Sequence, residues 1–269
     1  MRTPIRIAAI AALVVSAAAG IAHADTTVRV SGNTAAAENM PGWMFNRDPG
    51  TATPFEFNLA AAPVGFGSLY VLPIANDANP GIVSHDGNKD KFIGELFLGT
   101  TVARTGTMSF DFKLGAGVDV SKASQFYWNV YATYAGSSAT KFYDCRYSVT
   151  AASGSAATFT TVVFDPAVAA PVTTRTGSAI CPEKLAEMGP NAVVRAAVIN
   201  VGDTSASDAG VGGYLDRVVV NVDGSATTYD FDVPLQVKDQ CKSGGWEAFG
   251  FANQGDCVSS LQAATNAGK

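Results

Sequence analysis

Histidine is nearly missing from this chain, and with it most of the chemistry that depends on an imidazole. Of two histidines in 269 residues, His23 lies in the N-terminal leader, so His85 stands alone in the rest. A hydrolytic triad would have to use His85. Ser84 and Asp86 flank it, but adjacent side chains diverge and cannot form a nucleophile–base–orienter chain. No G-x-S-x-G nucleophile elbow occurs. Runs of lysine or arginine are also absent, which argues against a nucleic-acid or anionic-membrane partner. No C-x2-C pair exists, so zinc is a poor reading of the cysteines. After the leader no apolar run is long enough to span a bilayer, and no membrane insertion is expected.

What is present begins with that leader. Arg2 and Arg6 form a basic start, Ile7 to Val15 an apolar core, and Ala22-His23-Ala24 a small-x-small cleavage site. Residues 1–24 therefore read as a signal peptide, and the mature chain is expected in the periplasm or the medium. The leader holds two of the 18 basic residues and none of the 23 acidic ones, which leaves 16 against 23 and a net charge of −7. Four cysteines remain, Cys145, Cys181, Cys241 and Cys257, an even number suited to an oxidising compartment. Three pairings are possible. Cys145–Cys181 and Cys241–Cys257 are favoured because each joins neighbours across a loop containing glycine and serine.

Between clusters of Gly, Pro, Asn and Asp, period-2 runs rich in β-branched and aromatic residues recur. They predict strands near 27–30, 68–72, 92–98, 107–114, 125–134, 142–149, 159–165, 193–201, 214–222 and 227–233. Asp223-Gly224 between the last two is a strong hairpin signal. Helix is expected only over Pro182–Met188 and in a weak tail after Val258. Ten short strands point to an all-β sandwich over residues 25–236, followed by a disulfide-closed C-terminal segment, 237–269.

Alternation in the 125–134 strand puts Phe126, Trp128, Val130 and Ala132 on a core face and Tyr127, Asn129, Tyr131 and Thr133 on the other. The second set combines flat rings with hydrogen-bonding groups, as needed to stack on a sugar and contact its hydroxyls. On the 142–149 run the same rule points Tyr143, Cys145 and Tyr147 inward and Phe142, Asp144, Arg146 and Ser148 outward. Tyr127, Asn129, Tyr131 and Arg146 are thus the candidate ligand face. Asp216 alternates with Val218, Val220 and Val222, which predicts a carboxylate on the apolar side of its strand, needing backbone N–H groups or a hard cation. Asp203 and Asp208 in the preceding loop could join it in holding a structural calcium. Asp86, Asn88 and Asp90 make a D-x-N-x-D spacing, but Lys91 and Phe97 stand where a calcium-binding helix–loop–helix needs Gly and Glu. For carboxylate-pair catalysis, Glu95 and Asp111 on predicted strands are the pair to test.

The order of features resembles a galactose-binding-like jelly roll, the fold of many carbohydrate-binding modules. The matching residues are Pro41-Gly42-Trp43, Gly67-Ser68-Leu69-Tyr70-Val71, Thr107-Met108-Ser109-Phe110-Asp111-Phe112 and Gly213-Tyr214-Leu215-Asp216-Arg217-Val218. The resemblance implies an antiparallel jelly-roll β-sandwich and a structural-calcium role for Asp216. The stretch from Lys238-Asp239-Gln240-Cys241 through Gly244-Gly245-Trp246 and Phe249-Gly250-Phe251 to Gly255-Asp256-Cys257 is similar to a short C-terminal motif of many secreted bacterial proteins. That implies bacterial origin and export. The expectation is an exported, non-catalytic protein that binds a glycan or cell-envelope component on a sheet face. The alternatives are an interaction protein whose protein partner meets the C-terminal disulfide loop, and a glycan-cleaving enzyme on the same fold.

Overall fold

The computed structural model describes residues 25–35, 40–48, 55–58, 63, 67–72, 91–137, 142–174, 180–202, 210–233, 235, 238–242, 244–248 and 251–267. Among them run β1 (Thr26–Val30), β2 (Gly42–Asp48), β3 (Phe55–Asn58), β4 (Ser68–Val71), β5 (Lys91–Thr101), β6 (Thr105–Leu114) and β7 (Phe126–Thr133). They are followed by β8 (Cys145–Thr150), β9 (Thr160–Phe164), β10 (Ala170–Thr174), β11 (Val193–Gly202), β12 (Gly213–Val222) and β13 (Ser225–Phe231). In the first sheet β12 is central: β6 and then β9 lie along one edge, while β13 with β1, and β4 with β3, share the other. The second sheet runs β10-β8-β7-β11-β5-β2. The chain steps between sheets from β4 to β7 and again from β8 to β10, and the result is an all-β jelly-roll sandwich. Its pairs are antiparallel except β1 with β13, which is parallel.

Alternation builds the core. Met108, Phe110, Phe112 and Leu114 of β6 meet Phe126, Trp128 and Val130 of β7 between the sheets. The rings of Phe112 and Phe126 stack at 4.5 Å, Phe110 meets Trp128 edge-on at 5.2 Å, and Trp43 of β2 meets Phe231 of β13 at 5.0 Å. Each such ring, fully buried, contributes about 1.5–3 kcal/mol. The hairpin expected at Asp223-Gly224 forms, with φ of 53° and 76°, the paired left-handed conformations that a two-residue turn between twisted strands requires.

Three strands escape the sequence pattern. β2 ends in Asn46-Arg47-Asp48, β3 has only four residues, and β10 carries Pro171, tolerated because β10 lies at a sheet edge. The helix expected at 182–188 is a single 3-10 turn, Leu185–Met188. The C-terminal helix is longer than expected: α1 (Gln254–Ala267) starts where Asn253 Oδ1 accepts from Asp256 N and its amide donates to the Asp256 carboxylate, a reciprocal cap.

Both favoured disulfides form, Cys145–Cys181 and Cys241–Cys257, each with Cα atoms 5.8 Å apart. The second closes the C-terminal appendage, worth about 3 kcal/mol in the chain-entropy account. Around it Trp246, Phe251, Val258 and Leu261 pack with Cys241 and Cys257 against Val233 and Phe57 at the edge of the sandwich. No helix among the described residues is long and apolar enough to cross a membrane.

Candidate functional site

The outward face of the second sheet brings the predicted ligand residues together. In β7, Phe126, Trp128, Val130 and Ala132 enter the core, so Tyr127, Asn129 and Tyr131 point away from it. Across the ladder Tyr131 stands opposite Arg146 and Asn129 opposite Ser148 on β8. On the other flank Asn129 faces Val198 of β11, and Val198 faces Glu95 of β5. Glu95 therefore shares this face two strands from Asn129, about 10 Å away.

Exposure differs from what alternation implies. Tyr127 and Asn129 are only 6 % and 3 % exposed, whereas Tyr131, Arg146 and Glu95 are half-buried. The middle of the face is a second small apolar cluster, Phe97, Ala196 and Val198, with Tyr131 and Phe142 packed against it. Phe142 and Tyr143 both lean on Tyr131, with ring centroids 5.6 Å and 4.7 Å away. Tyr143 thus meets the outward residue Tyr131, not the core. β8 begins only at Cys145, so strand alternation does not extend back to residue 143.

Two polar groups here are notable. Asn129 is almost fully covered, at 3 % exposure. The Arg146 guanidinium hydrogen-bonds the Tyr131 hydroxyl, yet its buried Nε–H has no acceptor. Burial pushes the Tyr131 hydroxyl above its ordinary pKa, against the opposing pull of Arg146 and Lys91.

Asp216 sits on the first sheet, and a bulge changes its side. Asp216 pairs with Asp111 on β6 but Val219 pairs with Ser109, so β12 holds one extra residue. Arg217, at φ 42°, takes it up. Leu215, Val218 and Val220 enter the core, and Asp216 leaves it for the outward side while remaining fully buried. Sequence alternation placed it on the apolar side; the bulge overturns that. Here β12 exchanges one neighbour, β13, for another, β4, and Asp216 Oδ1 accepts the Phe231 N–H at 2.9 Å. Its carboxyl also hydrogen-bonds Asp230, which burial raises above the usual carboxylate range. Beside them Arg29 Nε meets Asp232 at 2.9 Å. Among the described residues no three acidic, His or Cys side chains group closely enough to hold a metal ion. Asp203 and Asp208, like the Asp86–Asp90 run and His85, lie outside the described residues.

Glu95 and Asp111 do not form a catalytic pair. Asp111, 2 % exposed, faces outward from the first sheet, where Thr161 donates to it at 2.7 Å and Arg217 Nη2 meets it at 2.7 Å. Glu95 faces outward from the second. The whole sandwich, about 10 Å between sheets, separates them, and their side chains diverge.

Two cavities lie among the described residues. A groove of about 450 Å³ between Val102–Thr107 and Asp165–Ala167 offers one carboxylate, Asp165, already accepting from Ala167 N at 2.8 Å. A smaller cavity of about 110 Å³ is lined by Phe97, Leu98 and Arg195, the last being the extra residue of a bulge in β11.

No family model matches the chain, and no curated protein matches it. Among solved structures it is similar to a family 11 carbohydrate-binding module from Clostridium thermocellum, in complex with a beta-1,3-1,4-mixed-linked tetrasaccharide, at 9 % identity and a TM-score of 0.38, over 71 % of this chain and 91 % of that one.

Proposed function

We propose that this chain is an exported, non-catalytic binding protein that recognises a glycan or cell-envelope component on the outward face of the second sheet. Residues 1–24 act as its signal peptide in this reading, and two disulfides suit the oxidising compartment to which it leads. The observation that carries the reading is the half-buried Tyr131 ring on the outward face, with Asn129 beside it and the Arg146 guanidinium across the ladder on its hydroxyl. A sugar would supply hydroxyls to Asn129 and a C–H face to Tyr131. The apolar rings of the C-terminal loop are less available as a protein-docking surface, since Trp246 and Phe251 are both half-buried against the loop's own core.

The test is retention on a glycan and cell-wall array. Tyr131→Ala and Asn129→Ala should each weaken retention about 10-fold while the protein still melts cooperatively. Equal retention by both would move the contact off this face, and a blank array for folded protein would sink the glycan reading. A structural calcium held by Asp203, Asp208 and Asp216 is a separate proposal. Bound calcium would raise the melting temperature by mass action, so an unchanged melting curve between chelator and millimolar calcium removes it.

A further inference from the structure

Arg146 differs in kind from the other outward-facing arginines whose partners are described. Arg217 ends on Asp111 and Arg29 on Asp232, whereas Arg146 has a neutral phenol, Tyr131, and a buried Nε–H without an acceptor. The Nε is covered by the protein, so a ligand would meet the two terminal nitrogens, a planar fork whose spacing matches two oxygens of one carboxylate. A lone hydroxyl would leave half of it unmet. The fork lies beside the Tyr131 ring, directly across the ladder, and Asn129 is two residues along the same face, at the diagonal position within reach of one bound ring. A second cation, Lys91, acts electrostatically on the Tyr131 hydroxyl, so the neighbourhood of that hydroxyl is positive although the whole chain has more acidic than basic residues.

We infer that the glycan bound at this face is acidic, a uronic-acid polymer whose carboxylate is clasped by Arg146 while its ring lies on Tyr131 and a neighbouring hydroxyl meets Asn129. This rests on the glycan-binding reading above. A pyranose carboxylate projects from the ring edge, so the fork can hold it without disturbing stacking. Since the net charge of the protein repels such a polymer, attraction is local, and it weakens steeply with salt.

The experiment is an array in which each uronate polymer stands beside its carboxyl-reduced form, with desulfated partners for any sulfated polymer and neutral β-glucans alongside. Expected is retention of the acidic form that falls at least about 30-fold on carboxyl reduction and by a similar factor in Arg146→Gln. Arg146→Lys, which keeps the charge and loses the fork, should recover only part of it. Asn129→Asp sets a like charge against the carboxylate at constant size and should also weaken the acidic form, so the test survives if Arg146→Gln fails to fold. Retention that persists after carboxyl reduction, that depends on sulfate instead, or that is confined to neutral glucans keeps the binding face and overturns the acidic inference. Absence of retention on every polymer overturns both.

Discussion

The outward faces of the two sheets are built from similar materials and dispose of them differently. Each has an arginine presented by a bulge, Arg217 in β12 and Arg195 in β11, and each carries tyrosines, Tyr70 and Tyr214 on the first and Tyr127 and Tyr131 on the second. On the first sheet the charges close on one another. Asp111 takes Arg217 and Thr161, Asp232 takes Arg29, Asp216 takes the Phe231 N–H, and Lys113 Nζ lies 4.8 Å over Tyr214. A buried carboxylate is costly, and each of the four on this face has a polar or charged partner, although Asp230 Oδ1 has no hydrogen bond of its own. On the second sheet the Arg146 Nε–H has no acceptor, and its guanidinium meets a neutral phenol and no carboxylate. An unmatched donor can be tolerated where a ligand completes it, which is why the second face is read as a contact surface and the first as structure.

The sharpest way to break this contrast is to remove an acceptor from the first sheet. Asp216→Ala strands the Phe231 N–H in the interior and should cost about 3 kcal/mol in chemical denaturation, while Asp216→Asn keeps an acceptor oxygen and should lose about half as much. Next comes Asp111→Ala, at about 2 kcal/mol. This lies below the usual figure for a broken buried pair because the Arg217 side chain is 44 % exposed and can turn to water. Arg146→Gln on the second sheet should fall within about 0.5 kcal/mol of wild type. Equal losses at Asp111 and Arg146 would mean that both faces are structural.

How far the sequence revealed these faces depended on whether each strand kept an even period. β7 runs unbroken for eight residues, so its outward-facing residues, Tyr127, Asn129 and Tyr131, are legible from alternation alone. β12 does not, and one extra residue moved Asp216 to the opposite side. Nothing in Leu215-Asp216-Arg217-Val218 announces that bulge, because the left-handed conformation falls on an arginine and not on a glycine. Alternation also names a side without saying what covers it, hence the unforeseen burial of Tyr127 and Asn129. Pairing across sheets was equally out of reach: Glu95 and Asp111 look alike as strand carboxylates, and only the topology sets them back to back.

The smallest expected effect separates ionisation from packing. Burial raises the Asp230 carboxyl above its ordinary 3.8, with Arg29 and the hydrogen bond to Asp216 opposing. A carboxyl whose folded pKa exceeds its unfolded pKa contributes its full stability below the unfolded value and loses it as pH rises through the folded one. At neutral pH the charged Asp230 therefore weakens the first sheet, even inside a closed network. Asp230→Asn, equal in size and always neutral, should raise the melting temperature by about 2 °C at pH 7, and the gain should vanish near pH 3, where the native carboxyl is protonated as well. A gain that persists at pH 3 would trace to packing and not to charge. Arg146→Gln has no carboxylate to release, so its small effect should stay level over the same range. A pH-dependent difference there would show that a carboxylate already answers Arg146, and the distinction between the two faces would fall.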